Sequence, residues 1–165
     1  MNDEEKRIPV TAAVRQLRAA RAAFTPCFYD YVEHGGTRVS AESLGVPEHA
    51  VVKTLVFEDD QKRALVVLMH GDLEVSGKEL ARLLKVKSVT PCRPDVAERH
   101  SGYRVGGTSP FGLKKPLPIY AEASIRGLER PYINGGARGF LVGLSGEQLE
   151  QLVNVTWVQV GRPGG

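Results

Sequence analysis

Hydrophobic positions along the chain switch between helical and alternating spacing. Val14 and Leu17 recur at helical intervals, with Phe24 just beyond, and Thr11 stands where a side-chain oxygen can cap a helix over residues 11–23. Pro26 limits that helix, and residues 27–31 read as an aromatic-rich strand with Tyr29 and Tyr31 on one face. Residues 33–37 form a loop, Ser40 caps a short helix ending at Gly45, and Pro47 opens one more helical turn. The strongest strand signal is residues 51–57, followed by a turn at 58–61 and a hairpin partner at 63–70. Ser76 and Glu79 have capping-box spacing ahead of a helix to about residue 84 that buries Leu80, Leu83 and Leu84. A short strand at 88–90 leads to a short helix, marked by Asp95 and Glu98 and stopped by Gly102. Strands are predicted at 117–121, 132–134 and 139–144. Ser145 and Gln148 repeat the capping box before a helix to about residue 153, and residues 155–160 add a final strand.

Strands and helices interleave through hairpins as well as crossovers. This predicts an α/β (α+β) fold with a mixed sheet flanked by helices, not a doubly wound parallel one. There is no internal repeat or linker, so residues 10–160 are expected to form a single domain behind a flexible tail over residues 1–9. The length of 165 residues, 42% hydrophobic and 25% charged, suits one soluble domain. The net charge of +3 is spread over scattered Lys and Arg, which argues against a dedicated DNA-binding module. Cys27 and Cys92, with four scattered histidines, make neither a disulfide framework nor a zinc pattern, and no metal or cofactor is expected. The charged opening and the lack of an apolar run near ~20 residues point to a cytoplasmic protein with no membrane partner.

Residues 102–112 are rich in glycine and hydroxyls. Such a loop can serve as a long turn or gather backbone amides around an oxygen. A second glycine pair follows Asn134. Lys53 interrupts the apolar run of residues 51–57. Alternation can point it to solvent, or it can stand at a cleft wall and offer a charge to a carbonyl, phosphate or ribose oxygen. His70-Gly71-Asp72 ends a strand, where a histidine could be a general base, but no partner can be placed and it reads as a surface turn; the two cysteines read as small core residues. Neither Gly107-Thr108-Ser109-Pro110-Phe111 nor Gly143-Leu144-Ser145-Gly146-Glu147 has the fifth-position glycine of a serine-hydrolase elbow.

Three blocks together are more specific: Val52-Lys53-Thr54-Leu55, the run from His100 to Lys115, and Tyr132-Ile133-Asn134-Gly135-Gly136-Ala137-Arg138-Gly139. With Val10-Thr11-Ala12-Ala13-Val14 and Leu44-Gly45-Val46, their order and spacing resemble the YbaK/ProX-type aminoacyl-tRNA deacylases, related to the editing domain of bacterial prolyl-tRNA synthetase. The resemblance implies a mixed, partly barrel-like sheet. It also implies trans-editing: removal of a wrong amino acid from tRNA, by hydrolysis or with help from the substrate's own thiol, in the service of translation fidelity. Cys-tRNA(Pro) or a related small amino acid would be the substrate. The resemblance assigns catalytic roles to Lys53 and to Tyr29, with Tyr31 the alternative. It assigns substrate-binding roles to Thr54, Gly106, Gly107, Thr108, Ser109, Pro110, Asn134, Gly135 and Gly136. The implied partners are the 3′ end of aminoacyl-tRNA and, as a further candidate, an aminoacyl-tRNA synthetase. Backbone amides of Gly106-Gly107 and Asn134-Gly135 are the expected oxyanion donors. This chain has Asn134 where such proteins often carry serine, and Phe140-Leu141-Val142 where they carry an acidic residue. A non-catalytic module binding a tRNA end or a small ligand is therefore the alternative.

Overall fold

The computed structural model describes residues 7–164. Helix α1 (Ala12–Ala19) is capped as expected, the Thr11 hydroxyl oxygen accepting from the Val14 amide at 3.0 Å. It ends before residue 23 because Arg21 turns left-handed (φ 54°) to lead the chain into β1 (Thr25–Phe28). That strand includes Pro26, which the sequence reading placed outside it. A proline is tolerated there because, among the described residues, β1 ends the sheet and pairs with β8 alone, Pro26 lying opposite Val142. Of the expected tail, residues 1–6 lie outside the described residues. Ile8 packs on the main core, and the Arg7 guanidinium stands 4.6 Å from the Phe28 ring centroid.

Helix α2 (Gly36–Leu44) begins ahead of Ser40, which is buried inside it and donates to the Thr37 carbonyl at 3.0 Å instead of capping. Gly45 closes it at φ 68°. Strands β2 (Val51–Asp59) and β3 (Ala64–His70) form the central hairpin. At its turn the buried Asp59 carboxylate accepts from the amides of Gln61 and Arg63 and from Arg63 Nε. Then follow β4 (Leu73–Val75), α3 (Gly77–Leu84), β5 (Val89–Pro91), α4 (Pro94–Ser101), β6 (Ile119–Glu122), β7 (Tyr132–Ala137), β8 (Phe140–Gly143), α5 (Gly146–Leu152), β9 (Val155–Val158) and β10 (Gly161–Pro163).

The main sheet runs β1-β8-β7-β2-β3-β6-β9, with β5 also paired to β2. β2–β7, β3–β6 and β6–β9 are parallel, while β1–β8, β7–β8, β2–β3 and β2–β5 are antiparallel, so the sheet is mixed. A separate ribbon pairs β4 with β10.

The near-continuous apolar run of β3 follows from burial on both faces. Val66 and Leu68 face the core shared with Val14, Leu17, Phe111 and Leu149, while Leu65, Val67 and Met69 face Phe57, Leu80 and Val158. Two expectations fail here. Leu83 is 53% exposed, since α3 turns Leu80 and Ala81 inward. His70 is not in a surface turn: it is 0% exposed at the end of β3. No helix among the described residues is long and apolar enough to cross a membrane.

Candidate functional site

Strand β2 meets β7 through only two register pairs, Val51 with Tyr132 and Val52 with Ile133. Beyond them the strands part, and a cavity of about 590 Å³ opens there. Lys53, Thr54 and Leu55 of β2 and Asn134 of β7 stand on its wall. So do Val39 of α2, Ala97 of α4, Tyr29 and Tyr31 after β1, and Gly106 and Thr108 of the glycine loop. Segments far apart in sequence thus converge on one largely apolar chamber.

Lys53 is half-buried, and burial lowers its pKa. Glu74, Glu48 and Asp72 act in the opposite sense without cancelling the effect. Beside it, Thr54 Oγ1 is buried and has no hydrogen-bond partner among the described residues, an arrangement that favours a ligand able to supply one. Burial raises the Tyr29 phenol pKa, and the Tyr29 amide donates to the Gly139 carbonyl at 3.0 Å.

The glycine loop is held from beneath. Asn134 Nδ2 donates to the Gly106 carbonyl at 3.0 Å, and its Oδ1 accepts from the amides of Gly136 at 2.7 Å and Ala137 at 3.2 Å. Asn134 thereby braces a bulge in β7, between Asn134 and Ala137, and pins the loop to it. Tyr103 adds a second brace, donating to the Phe111 carbonyl at 2.6 Å, and burial pushes its pKa up to about 12.

The residues singled out in sequence divide accordingly. Tyr29, Lys53, Thr54, Gly106, Thr108 and Asn134 share the cavity wall; Gly107, Ser109, Pro110, Gly135 and Gly136 do not lie on it. The Gly107 amide donates to the Arg104 carbonyl at 2.8 Å. Ser109 is 0% exposed and its Oγ accepts from the Phe111 amide at 3.3 Å. The Gly135 carbonyl accepts from the Thr11 hydroxyl at 2.6 Å. With the Gly107 and Gly136 amides engaged inside the protein, Gly106 (φ 91°) is the loop glycine that meets the chamber.

Sequence reasoning passed over several wall residues. Cys92, read as a small core residue, is half-buried on the wall. Burial, with Glu58 acting in the same sense, pushes its thiol up to about 11, so it stays protonated and is a poor nucleophile. Arg138 also lines the chamber, as does Leu141, which the sequence already marks as standing where similar proteins carry an acidic residue. Arg138 fell within a quoted block but had no pattern of its own.

A second cluster joins His49, His70 and Asp72, whose ligand atoms lie within 4.8 Å of one another. His70 uses both ring nitrogens, Nδ1 with the His49 carbonyl at 2.6 Å and Nε2 with Ser124 Oγ at 2.7 Å. Its ring stacks on that of His49 at 3.7 Å and 5°. These contacts satisfy a buried imidazole and leave it no nitrogen for a metal ion.

Several known proteins are similar. EbsC of Enterococcus faecalis, provisionally assigned as a Cys-tRNA(Pro)/Cys-tRNA(Cys) deacylase, is 27% identical over 151 residues, 91% of this chain and 92% of its own. Proline–tRNA ligase of Desulfovibrio desulfuricans is 37% identical over 84 residues, 51% of this chain but 14% of the ligase. A crystal structure provisionally assigned as a trans-editing enzyme for prolyl tRNA synthetase superposes with a TM-score of 0.79 at 19% identity, covering 95% of this chain and 100% of that one, and shares the fold. Residues 36–152 match the family described as the aminoacyl-tRNA editing domain, and the chain belongs to that family.

Proposed function

We propose that this chain is a trans-acting deacylase that removes a wrongly attached amino acid from tRNA by hydrolysing its ester in the cavity beside Lys53. One observation carries the reading. A cation, a hydroxyl unpartnered among the described residues and a positive-φ glycine, contributed by Lys53, Thr54 and Gly106, meet in one apolar chamber. An aminoacyl ester is already activated, so the protein needs to orient it and stabilise a developing oxyanion. Lys53 would hold the ester or the terminal ribose. The Gly106 amide and the Thr54 hydroxyl are the groups we assign to the carbonyl oxygen. Water supplies the attacking oxygen, and for a cysteinyl ester the substrate's own thiol is a second attacker. Kinship with a protein provisionally assigned as a Cys-tRNA(Pro)/Cys-tRNA(Cys) deacylase and with proline–tRNA ligases supports a small amino acid on a proline tRNA as substrate.

Purified protein incubated with Cys-, Ala- and Ser-charged proline tRNA should release the amino acid. Lys53→Ala should lose on the order of a hundredfold in rate while keeping its circular dichroism spectrum. Unchanged turnover by that variant refutes the assignment of Lys53. A second reading, a non-catalytic sensor of tRNA ends, draws on Leu141, which puts an apolar side chain on the wall, and on Asn134, whose side chain is engaged in bracing the loop. Tight binding of charged tRNA without turnover would select it.

A further inference from the structure

The cavity mouth carries a feature that ester chemistry does not use. The Arg138 guanidinium carbon lies 4.7 Å from the centroid of the Tyr31 ring, and Arg138 Nε donates to the Val105 carbonyl at 3.0 Å. The guanidinium is thereby fixed as a plane beside an aromatic ring. Val105, whose carbonyl takes that bond, and Val32, next to Tyr31 in the chain, are 43% and 52% exposed, and both belong to the cavity wall. With the Tyr31 ring they offer apolar surface next to a planar cation at the edge of the chamber. Glu33 also belongs to this wall, so the mouth is not a uniformly positive track for phosphates. A flat, electron-rich, weakly charged group matches it best. Nucleobases stack on aromatic rings and guanidinium planes, and the positive charge complements their π-face.

We propose that the mouth formed by Tyr31, Arg138, Val32 and Val105 is a stacking platform for the unpaired terminal base of the RNA whose 3′ ribose ester enters the cavity. The proposal rests on the reading of the cavity as an ester site. It divides the labour: the chamber takes the acyl group and ribose, while the platform takes the base whatever the amino acid.

The probe is a short single-stranded RNA ending in 2-aminopurine, whose fluorescence falls on stacking. The wild-type protein should quench it saturably. Arg138→Ala should raise Kd roughly tenfold. Arg138→Lys should be about as weak, since an ammonium has charge but no plane. Arg138→Gln, which keeps a planar donor able to reach the Val105 carbonyl, should fall between; melting curves of all three variants verify their fold. For mischarged tRNA the Arg138→Ala change should appear in KM with kcat retained. Absence of quenching by the wild-type protein overturns the platform. So does full rescue by Arg138→Lys, or a salt dependence as steep as that of several phosphate contacts, either of which would make Arg138 a phosphate ligand. Failure of the wild-type protein to deacylate any mischarged tRNA, with quenching intact, would instead remove the ester reading and leave a base-binding surface.

Discussion

Replacing Asn134 by alanine removes the contact that joins the β7 bulge to the glycine loop. Three hydrogen bonds go at once: Nδ2 to the Gly106 carbonyl, and Oδ1 to the amides of Gly136 and Ala137. The residue is 8% exposed, so water replaces these bonds poorly. At roughly 1 kcal/mol net per bond, the expected loss is about 3 kcal/mol. Desolvated amides left in the bulge raise that figure, and relaxation of the exposed Gly106 toward water lowers it. For a domain of this size the loss corresponds to a fall in Tm of about 6–12 °C. Urea unfolding of wild type and variant, with the slope m checked for constancy, measures it.

Asn134→Asp sharpens the test. It keeps the acceptor for both amides but turns a carboxylate against the Gly106 carbonyl. The two amides favour the carboxylate while burial and the Gly106 carbonyl disfavour it, so the variant keeps the bulge but loses the tie to the loop, and in urea at neutral pH it should fall between wild type and Asn134→Ala. Because the same contact positions Gly106, deacylation by Asn134→Ala should drop by about 10- to 100-fold. A variant within ~0.5 kcal/mol of wild type, with unchanged turnover, would refute the bracing role.

Other outcomes follow from single contacts. If protonated Lys53 holds the ester, the rate corrected for spontaneous hydrolysis should decline on an alkaline limb below the ordinary lysine pKa of 10.5, and Lys53→Arg should move that limb upward. Buried Glu122 accepts from the amides of Val160 at 2.7 Å and Gly161 at 2.8 Å. Glu122→Ala should cost about 2–4 kcal/mol by leaving both donors unsatisfied, and Glu122→Gln less, both read by denaturant unfolding. A Cβ on Gly135 would stand 2.3 Å from the Phe140 ring, so Gly135→Ala should cost about 1–3 kcal/mol in the same measurement. Burial alone would raise the Asp59 pKa, but the hydrogen bonds from Arg63 and Gln61 outweigh it and hold it below 3.8. Its contribution is present above that value and lost as pH falls through the lower folded pKa, so Asp59→Asn should flatten the acid side of the stability profile.

Local rules carried much of the architecture. Thr11, Ser76 and Ser145 cap the helices the sequence assigned to them, because capping involves residues within one turn. The β2–β3 hairpin was visible for the same reason. What local pattern misread was set by tertiary context. Pro26 entered a strand because that strand is an edge, and Ser40 was buried mid-helix because α2 begins earlier. His70 went into the core because Ser124 and the His49 carbonyl were there to satisfy it. The alternation that left Lys53 with two orientations could not resolve them, since the deciding fact is a parallel contact with β7, some eighty residues away, that stops after two pairs.

That early stop explains why the glycines sit where they do. Where β2 and β7 part, the sheet no longer supplies a wall, and the loop after α4 fills the gap by packing closely on β7 and on Tyr31. A Cβ at Gly107 would stand 3.0 Å from the Arg138 amide, and one at Gly106 would stand 2.8 Å from Tyr31 Oη. Side chains at either position would lift the loop away from Asn134 and widen the chamber. The glycines are therefore required first for this close approach, and Gly106 is the one of the loop that also lies on the chamber wall. A glycine-rich stretch in sequence does not distinguish these two demands. They separate only when the partner of each amide is traced, Arg104 for Gly107 and Asn134 for Gly136.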